Sequence, residues 1–339
     1  MVLKHESEAK LLQASKQYDA ALKEQDLDKL NGLVDTNYII HADGITLHAD
    51  LKGINEAKNY WQAYFDKYTF EHEVLAGAVD KEASAAFCFW LDRFLEFLPI
   101  AGCCSATCFT KTNSARFTPC AVQNVTPKDE SVFDEKLTTK QTLPSHKLGI
   151  FKHEFASDGK IKGTWFLRQF SKDEAARKLK NAPNFTEVKV HAPTYKGSGG
   201  IEPSEARSQK QDQAAQAYAK IWATGDPSTA DAIMAEDVRN VDLLFAHETS
   251  GRAEFKSMIH SVFQAWKSEQ ENREAIAVSA GNKAFLHWTS IGVEKKEGLK
   301  NHMYGLEMLV FNEQCKISEI LVLRQPLESQ KAELFGAEE

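Results

Sequence analysis

The sequence predicts an α+β protein made of two copies of one domain, each a sheet of antiparallel strands with helices packed on one face. Three observations predict this. First, residues 149–169 and 305–325 align without a gap at an offset of 156. Gly149/Gly305, Phe155/Phe311, Lys160/Lys316, Ile161/Ile317, Leu167/Leu323, Arg168/Arg324 and Gln169/Gln325 are identical. Second, Gly53/Gly251, Glu56/Glu254, Phe65/Phe263, Ala86/Ala284, Phe87/Phe285 and Trp90/Trp288 repeat at an offset of 198. Blocks repeated in the same order mean a duplicated unit. Third, 339 residues with 42% hydrophobic content suffice for two cores.

The second copy reads more cleanly. Ala214, Ala217, Tyr218, Ile221 and Trp222 share one helical face, and Gly225 stops that helix. Asp226-Pro227 pairs a capping residue with proline at the first helical position, predicting a second helix over 228–235. Residues 238–246 read as a strand. Ser250-Gly251 opens a third helix with Phe255, Met258, Ile259, Val262, Phe263 and Trp266 on one face. Strands follow near 273–279, 283–293 and 302–311, and a turn at 312–316 leads into the last. Local turns favour antiparallel pairing. The first copy repeats the order, with Leu11, Ser15, Tyr18 and Leu22 on its first helix and Asp26 as a second cap. Its third helix carries Ile54, Ala57, Trp61, Tyr64, Phe65 and Tyr68, and its strands fall at 70–80, 83–95, 147–156 and 161–170.

The copies differ in one large way. Trp90 to Gly149 spans 59 residues and Trp288 to Gly305 only 17, so the first copy carries 42 more between two strands. This insert, about 99–141, is rich in Ser, Thr, Pro and Lys and is expected to be a loop outside the core. Its Cys103, Cys104, Cys108 and Cys120 match no zinc-ribbon or finger spacing. The predicted domains are 1–178 and 209–339, joined by a Gly/Pro/Ser-containing linker at 179–208.

A net charge of −7 and no basic stripe argue against nucleic-acid binding. The start of the chain has no apolar core of a signal peptide, and the longest apolar run, near 83–91, is too short for a bilayer. A cytoplasmic protein without membrane contact is the expectation. The six cysteines do not recur at matching positions, so no shared disulfide framework is suggested. No HExxH, CxxC, P-loop or dinucleotide glycine fingerprint occurs, so neither metal nor cofactor is expected.

Residues 235–242 (AEDVRNVD), 250–255 (SGRAEF), 286–292 (LHWTSIG) and 309–319 (LVFNEQCKISE) resemble, in order and spacing, the nuclear transport factor 2-like superfamily. That superfamily includes SnoaL-like polyketide cyclases and ketosteroid isomerase. The resemblance covers most of 210–327 and, more loosely, 8–98 and 145–171. It implies two cones, each a curved sheet with three N-terminal helices and a pocket between them. It also implies that the cones dock on each other as an intramolecular pseudo-dimer.

The resemblance places Asp242 where related isomerases carry a general base, with His287 or Tyr304 as a polarising donor. A desolvated carboxylate suits proton abstraction beside a carbonyl; the plainer reading is a solvated strand-end acid. The first copy offers Ile40 and His41 there, with Asp43 beyond, so activity would reside in the second. His287 and His302 lie on neighbouring strands without metal spacing. Arg168 and Arg324 are equivalent and suit either an anionic ligand or a structural ion pair. Trp61, Trp90, Trp165, Trp222, Trp288, Tyr18, Tyr218 and Tyr304 are large enough to fill cores or line pockets. The expected function is binding of a small, largely apolar ligand by Tyr218, Trp222, Trp288, His302 and Arg324, with Tyr18, His41 and Trp90 as their first-copy counterparts. The pocket is expected in the C-terminal copy. An isomerase- or cyclase-like enzyme using Asp242 is the first rival reading. A domain used only for protein association is the second.

Overall fold

The computed structural model describes residues 2–43, 47, 49–68, 70–80, 82–94, 146–169, 201–202, 209–244, 247–278 and 281–335. The fold is mixed α+β with two sheets. The first half runs α1 (Val2–Lys23), a 3-10 turn (Leu27–Leu30), β1 (Val34–Ile40), β2 (Leu51–Lys52) and α2 (Ile54–Lys67). Strands β3 (Phe70–Asp80), β4 (Ala85–Phe94), β5 (His146–Phe155) and β6 (Ile161–Arg168) follow. A two-residue β7 (Ile201–Glu202) pairs with Gly77 and Ala78 of β3, so part of the expected linker edges the first sheet. The second half runs α3 (Gln209–Thr224), a 3-10 turn (Pro227–Thr229), α4 (Ala230–Ile233), β8 (Met234–Asp242), β9 (His247–Ser250) and α5 (Arg252–Ala265). It closes with β10 (Trp266–Val278), β11 (Lys283–Glu294), β12 (Lys300–Phe311), β13 (Ile317–Arg324) and α6 (Glu328–Phe335).

Strand order is β2-β1-β6-β5-β4-β3-β7 in one sheet and, read from the matching edge, β9-β8-β13-β12-β11-β10 in the other. In each, the first long strand pairs parallel with the last, β1 with β6 and β8 with β13. The meander strands between them are antiparallel.

The repeated residues explain themselves in this geometry. Trp90 faces Gly149 across β4–β5, and Trp288 faces Gly305 across β11–β12. A Cβ on Gly149 would lie 2.1 Å from the Trp90 ring, and one on Gly305 2.2 Å from that of Trp288. Each glycine is the seat of an indole. Gly53 and Gly251 precede α2 and α5 with φ of +83° and +92°, which L side chains rarely adopt.

Three boundaries differ from expectation. The middle helix of each half is only a 3-10 turn, extended by the four-residue α4 in the second. Asp226 does cap it, accepting from the Ser228 amide at 2.9 Å, but Met234 is already paired with Ile317. The strand expected at 238–246 therefore occupies Met234–Asp242. The strand expected from 273 starts at Trp266, because that indole packs on Gly292 of β11 and its backbone pairs with Glu294.

Helices cover one face of each sheet, giving two cores. One holds Tyr18, Tyr38, Trp61, Trp90, Phe151 and Phe166; the other holds Tyr218, Phe255, Leu286, Leu309, Phe311 and Ile320. The opposite faces of the two sheets share a third core, including Phe87, Phe89, Ile150, Phe285, Leu306 and Met308. Phe87 and Phe285, counterparts in the repeat, stack on each other at 5.8 Å. The expected insert lies outside the described residues. Among those residues, no helix is long and apolar enough to cross a membrane, and no three His, Cys, Asp or Glu side chains are grouped to hold a metal ion.

Candidate functional site

A narrow cleft with a cavity volume of about 20 Å³ lies in the first half between α1, α2 and the first sheet. Its walls are mostly aromatic: Tyr60, Trp61, Tyr64, Phe65 and Phe70 from α2 and the start of β3, with Trp90, Phe151 and Phe166 from the sheet. Trp90 and Phe151 stack at 5.3 Å, and Trp61 meets Phe151 and Phe166 at 6.1 Å. Strand alternation places these rings on the helix-covered face.

Polar groups enter at one place. His72 on β3 is clamped between two carboxylates, Nδ1 to Asp92 Oδ1 and Nε2 to Asp19 Oδ1, both at 2.6 Å. Tyr64 Oη donates to the other Asp92 oxygen at 3.3 Å. Burial alone would push the imidazole down, but the hydrogen bonds and charges of Asp19 and Asp92 outweigh it and hold His72 up at about 9. His72 is therefore an imidazolium at neutral pH with both ring nitrogens engaged. Arg168 completes the wall. Trp90 is only 3% exposed, and its Nε1–H has no hydrogen-bond partner among the described residues.

Deeper in this half lies a polar network. Trp61 Nε1 donates to Tyr18 Oη (3.2 Å), which meets Tyr38 Oη at 3.0 Å. Tyr38 donates to Thr164 Oγ1 at 2.8 Å, and His153 Nδ1 meets the same oxygen at 3.0 Å. Burial pushes His153 down to about 3, so it is neutral, and raises both tyrosines.

The second half has the same strand order and a different filling. The 156 and 198 offsets place Ile259, Leu309 and Ile320 where the first half has Trp61, His153 and Thr164, and the strand register, which pairs Ile40 with Thr164 and Asn240 with Ile320, places Val238 where it has Tyr38. Trp222 replaces Leu22, a cleft-lining residue, and packs against the second core. Glu307 replaces Phe151 and accepts the Trp288 indole N–H at 2.6 Å. Ser329 and Gln330 of α6 bond to Glu294 and Arg324.

The sequence-predicted residues are distributed as follows. Asp242 ends β8 on the helix side and is ion-paired with Arg324 (Nε to Oδ2, 2.9 Å), while its Oδ1 accepts the Leu244 amide at 3.0 Å. His287 and Tyr304 lie on the opposite face of that sheet, with ring centres 5.9 Å apart. The expected grouping of Asp242 with either is thus not formed. His287 Nδ1 accepts from Lys152 Nζ of the other half at 2.8 Å; burial and the Lys152 charge hold it neutral. Tyr304 Oη donates to the Phe166 carbonyl at 3.1 Å. His302 is exposed on β12. Tyr218 is buried beside Phe255 at 6.2 Å, and Trp288 is half-buried. His41 stacks on Trp165 at 3.6 Å with Asp50 beside it at 3.4 Å. Register makes Ala42, not Ile40 or His41, the counterpart of Asp242. Ile40 pairs with Thr164 as Asn240 pairs with Ile320, and those partners are 156 apart.

Of the predicted residues, Trp61, Trp90 and Arg168 line the cleft, with Tyr18 in the network behind it. The His72–Asp92–Asp19 cluster was not anticipated. Its one sequence signal is that His72 and Asp92 lie on the two arms of a hairpin whose turn is near 82–84.

With this geometry in view, comparison with known proteins gives a class. A SnoaL-like domain model matches residues 215–320, and the chain carries one such domain there. No curated protein matches the chain. Solved structures similar to parts of the chain include an uncharacterised bacterial protein with a cystatin-like fold from Silicibacter pomeroyi DSS-3. It is 22% identical, with 35% of this chain and 77% of that one covered and a TM-score of 0.29. A steroid delta-isomerase from Pseudomonas aeruginosa is 14% identical, covering 37% and 86%, TM-score 0.31. An LEH-like epoxide hydrolase from M. tuberculosis is 11% identical, covering 34% and 82%, TM-score 0.30.

Proposed function

We propose that this chain binds a small, largely apolar ligand, and that the first half holds it. The observation carrying this is the aromatic cleft itself. Concave sites with apolar walls and a few converging polar groups are where small molecules bind, and in the second half Trp222 packs against the core at the helical position of Leu22. Binding is favoured over proton transfer because both His72 nitrogens are already held by carboxylates.

In this reading the chain is a pair of like-folded domains, about 1–178 and 209–339, docked as an intramolecular pseudo-dimer. The shared strand order, the repeated glycine–indole seats and the Phe87–Phe285 contact support it. A residue meeting its own counterpart is what a twofold relation produces. The second half then serves as a packed partner whose sheet supports the first from behind.

The test is to import the second half's filler. Leu22→Trp should abolish binding of 2-isopropylnaphthalene, measured by isothermal titration calorimetry, while the protein stays folded by circular dichroism. Wild-type protein should bind one equivalent. Undiminished binding by Leu22→Trp, or two equivalents per chain, would show the ligand lies elsewhere.

A further inference from the structure

Resting on the reading of the two halves as a docked pseudo-dimer, we infer that Lys152 and His287 make that docking selective, so that the sheet face of the first half takes the second half's face and rejects another copy of itself. Lys152 Nζ donates to His287 Nδ1 at 2.8 Å across the contact, and the two residues are only 3% and 0% exposed. The other His287 nitrogen has no hydrogen-bond partner among the described residues. Further hydrogen bonds cross between the halves: the Ile276 amide to Asp80 Oδ2, Tyr304 Oη to the Phe166 carbonyl, and Gln325 Nε2 to the Ala42 carbonyl. Each of these ends on a backbone group, which any face offers. The Lys152–His287 pair needs a particular side chain on both sides.

The repeat shows what the pair discriminates. Lys152 pairs with Phe87 across β4–β5, and Met308 pairs with Phe285 across β11–β12. Phe87 and Phe285 are counterparts stacked on each other, so Met308 is the counterpart of Lys152. The offset of 198 makes Phe89 the counterpart of His287. A twofold relation therefore carries the Lys152–His287 pair onto Met308 and Phe89, both buried in the shared core. Polarity sits at one of two equivalent places. Two first halves docked in the same way would set each Lys152 against Phe89 of the other. Two second halves would set each His287 against Met308. Exchanging two first–second contacts for one of each like kind thus breaks the pair twice and makes no new one. Lys152 would keep Glu154 of its own strand, at 2.6 Å, yet it would stay buried against an apolar ring. Breaking one side of a buried pair is strongly destabilising, and unpaired buried polar groups are a means by which interfaces reject wrong partners.

Replacing either partner by its counterpart, Lys152→Met or His287→Phe, removes the pair from both arrangements alike, so each variant and the double variant should lose the selectivity. The double variant sets two apolar residues together, and it should keep the stability of the wild type. Natural-abundance and ¹⁵N-labelled full-length chains are mixed in urea, refolded together, joined with a lysine-reactive cross-linker and read by mass spectrometry. Wild-type protein should give links between first and second halves and almost none joining a light first half to a heavy one. In each variant those light-to-heavy first–first links should be about a hundredfold or more commoner, the worth of a broken buried pair. Circular dichroism checks folding, and any one variant that folds decides. Variants as free of first–first links as the wild type overturn the selectivity and leave the docking standing. If no variant folds, the wild type decides: first–first links between chains as common as first–second ones overturn the inference, and their near absence upholds it. Absence of first–second links in the wild type overturns the docking reading, and the inference with it.

Discussion

Raising the pH should destabilise the first half through His72 alone. The imidazole titrates at about 9 in the folded chain, against an ordinary value of 6.5. Its proton is therefore bound more tightly in the folded state. That stabilisation is fully present below about pH 6.5, declines through the interval, and is gone above about pH 9. The interval, at about 1.4 kcal/mol per pH unit, amounts to about 3 kcal/mol. The groups facing His72 are Asp19 from α1 and Asp92 from β4, the latter also held by Tyr64 of α2. His72→Gln keeps a donor for one carboxylate but removes the charge. It should cost about 3–5 kcal/mol near pH 6.5, the scale of a broken buried pair. That cost should shrink by about 3 kcal/mol by pH 9.5. Urea melts of both proteins from pH 6 to pH 10 measure the difference and cancel every group the two share. Parallel profiles across that range would refute the His72 clamp.

Other perturbations test other parts of the fold. Gly149→Ala and Gly305→Ala should each lower stability by about 1–3 kcal/mol in urea melts, because the new methyl falls inside an indole ring. Phe285→Ala, which empties the layer between the sheets opposite Phe87, should cost about 3–5 kcal/mol and split a single calorimetric transition into two; an unsplit transition of unchanged midpoint would argue against docking. Asp242→Asn should cost about 1 kcal/mol through the Arg324 pair and leave affinity for 2-isopropylnaphthalene unchanged; a large loss of binding would return attention to the second cone.

The repeat made the fold legible. Gly149 with Trp90 and Gly305 with Trp288 were visible as matched identities, and the structure supplies their reason in the seat each glycine provides. Strand starts were less legible, because tertiary pairing decides them. Met234 joins the sheet early because Ile317 lies beside it, and Trp266 because Gly292 receives its ring. The site was hidden for related reasons. Counting back evenly from the Asp80–Ala85 pair would set His72 opposite Arg93. A bulge between Val74 and Ala76 sets it opposite Asp92 instead, and nothing in the local residues announces that bulge. Asp19 is 53 residues away on a helix. Asp242 was conspicuous because it stands at a strand end, yet Arg324, its partner, is 82 residues further on. The alternation of β8 and β11 separates it from His287. Leu22 and Trp222 stand at one helical position in the two halves, and periodicity treats both as core.

The most direct measurement is a crystal structure of the protein with 2-isopropylnaphthalene bound. The ring system should lie between α2 and the first sheet, against Trp61, Phe151 and Phe166. A probe seated in the second cone beside Trp222, or between the two sheets beside His287 and Tyr304, would contradict the assignment of ligand binding to the first half.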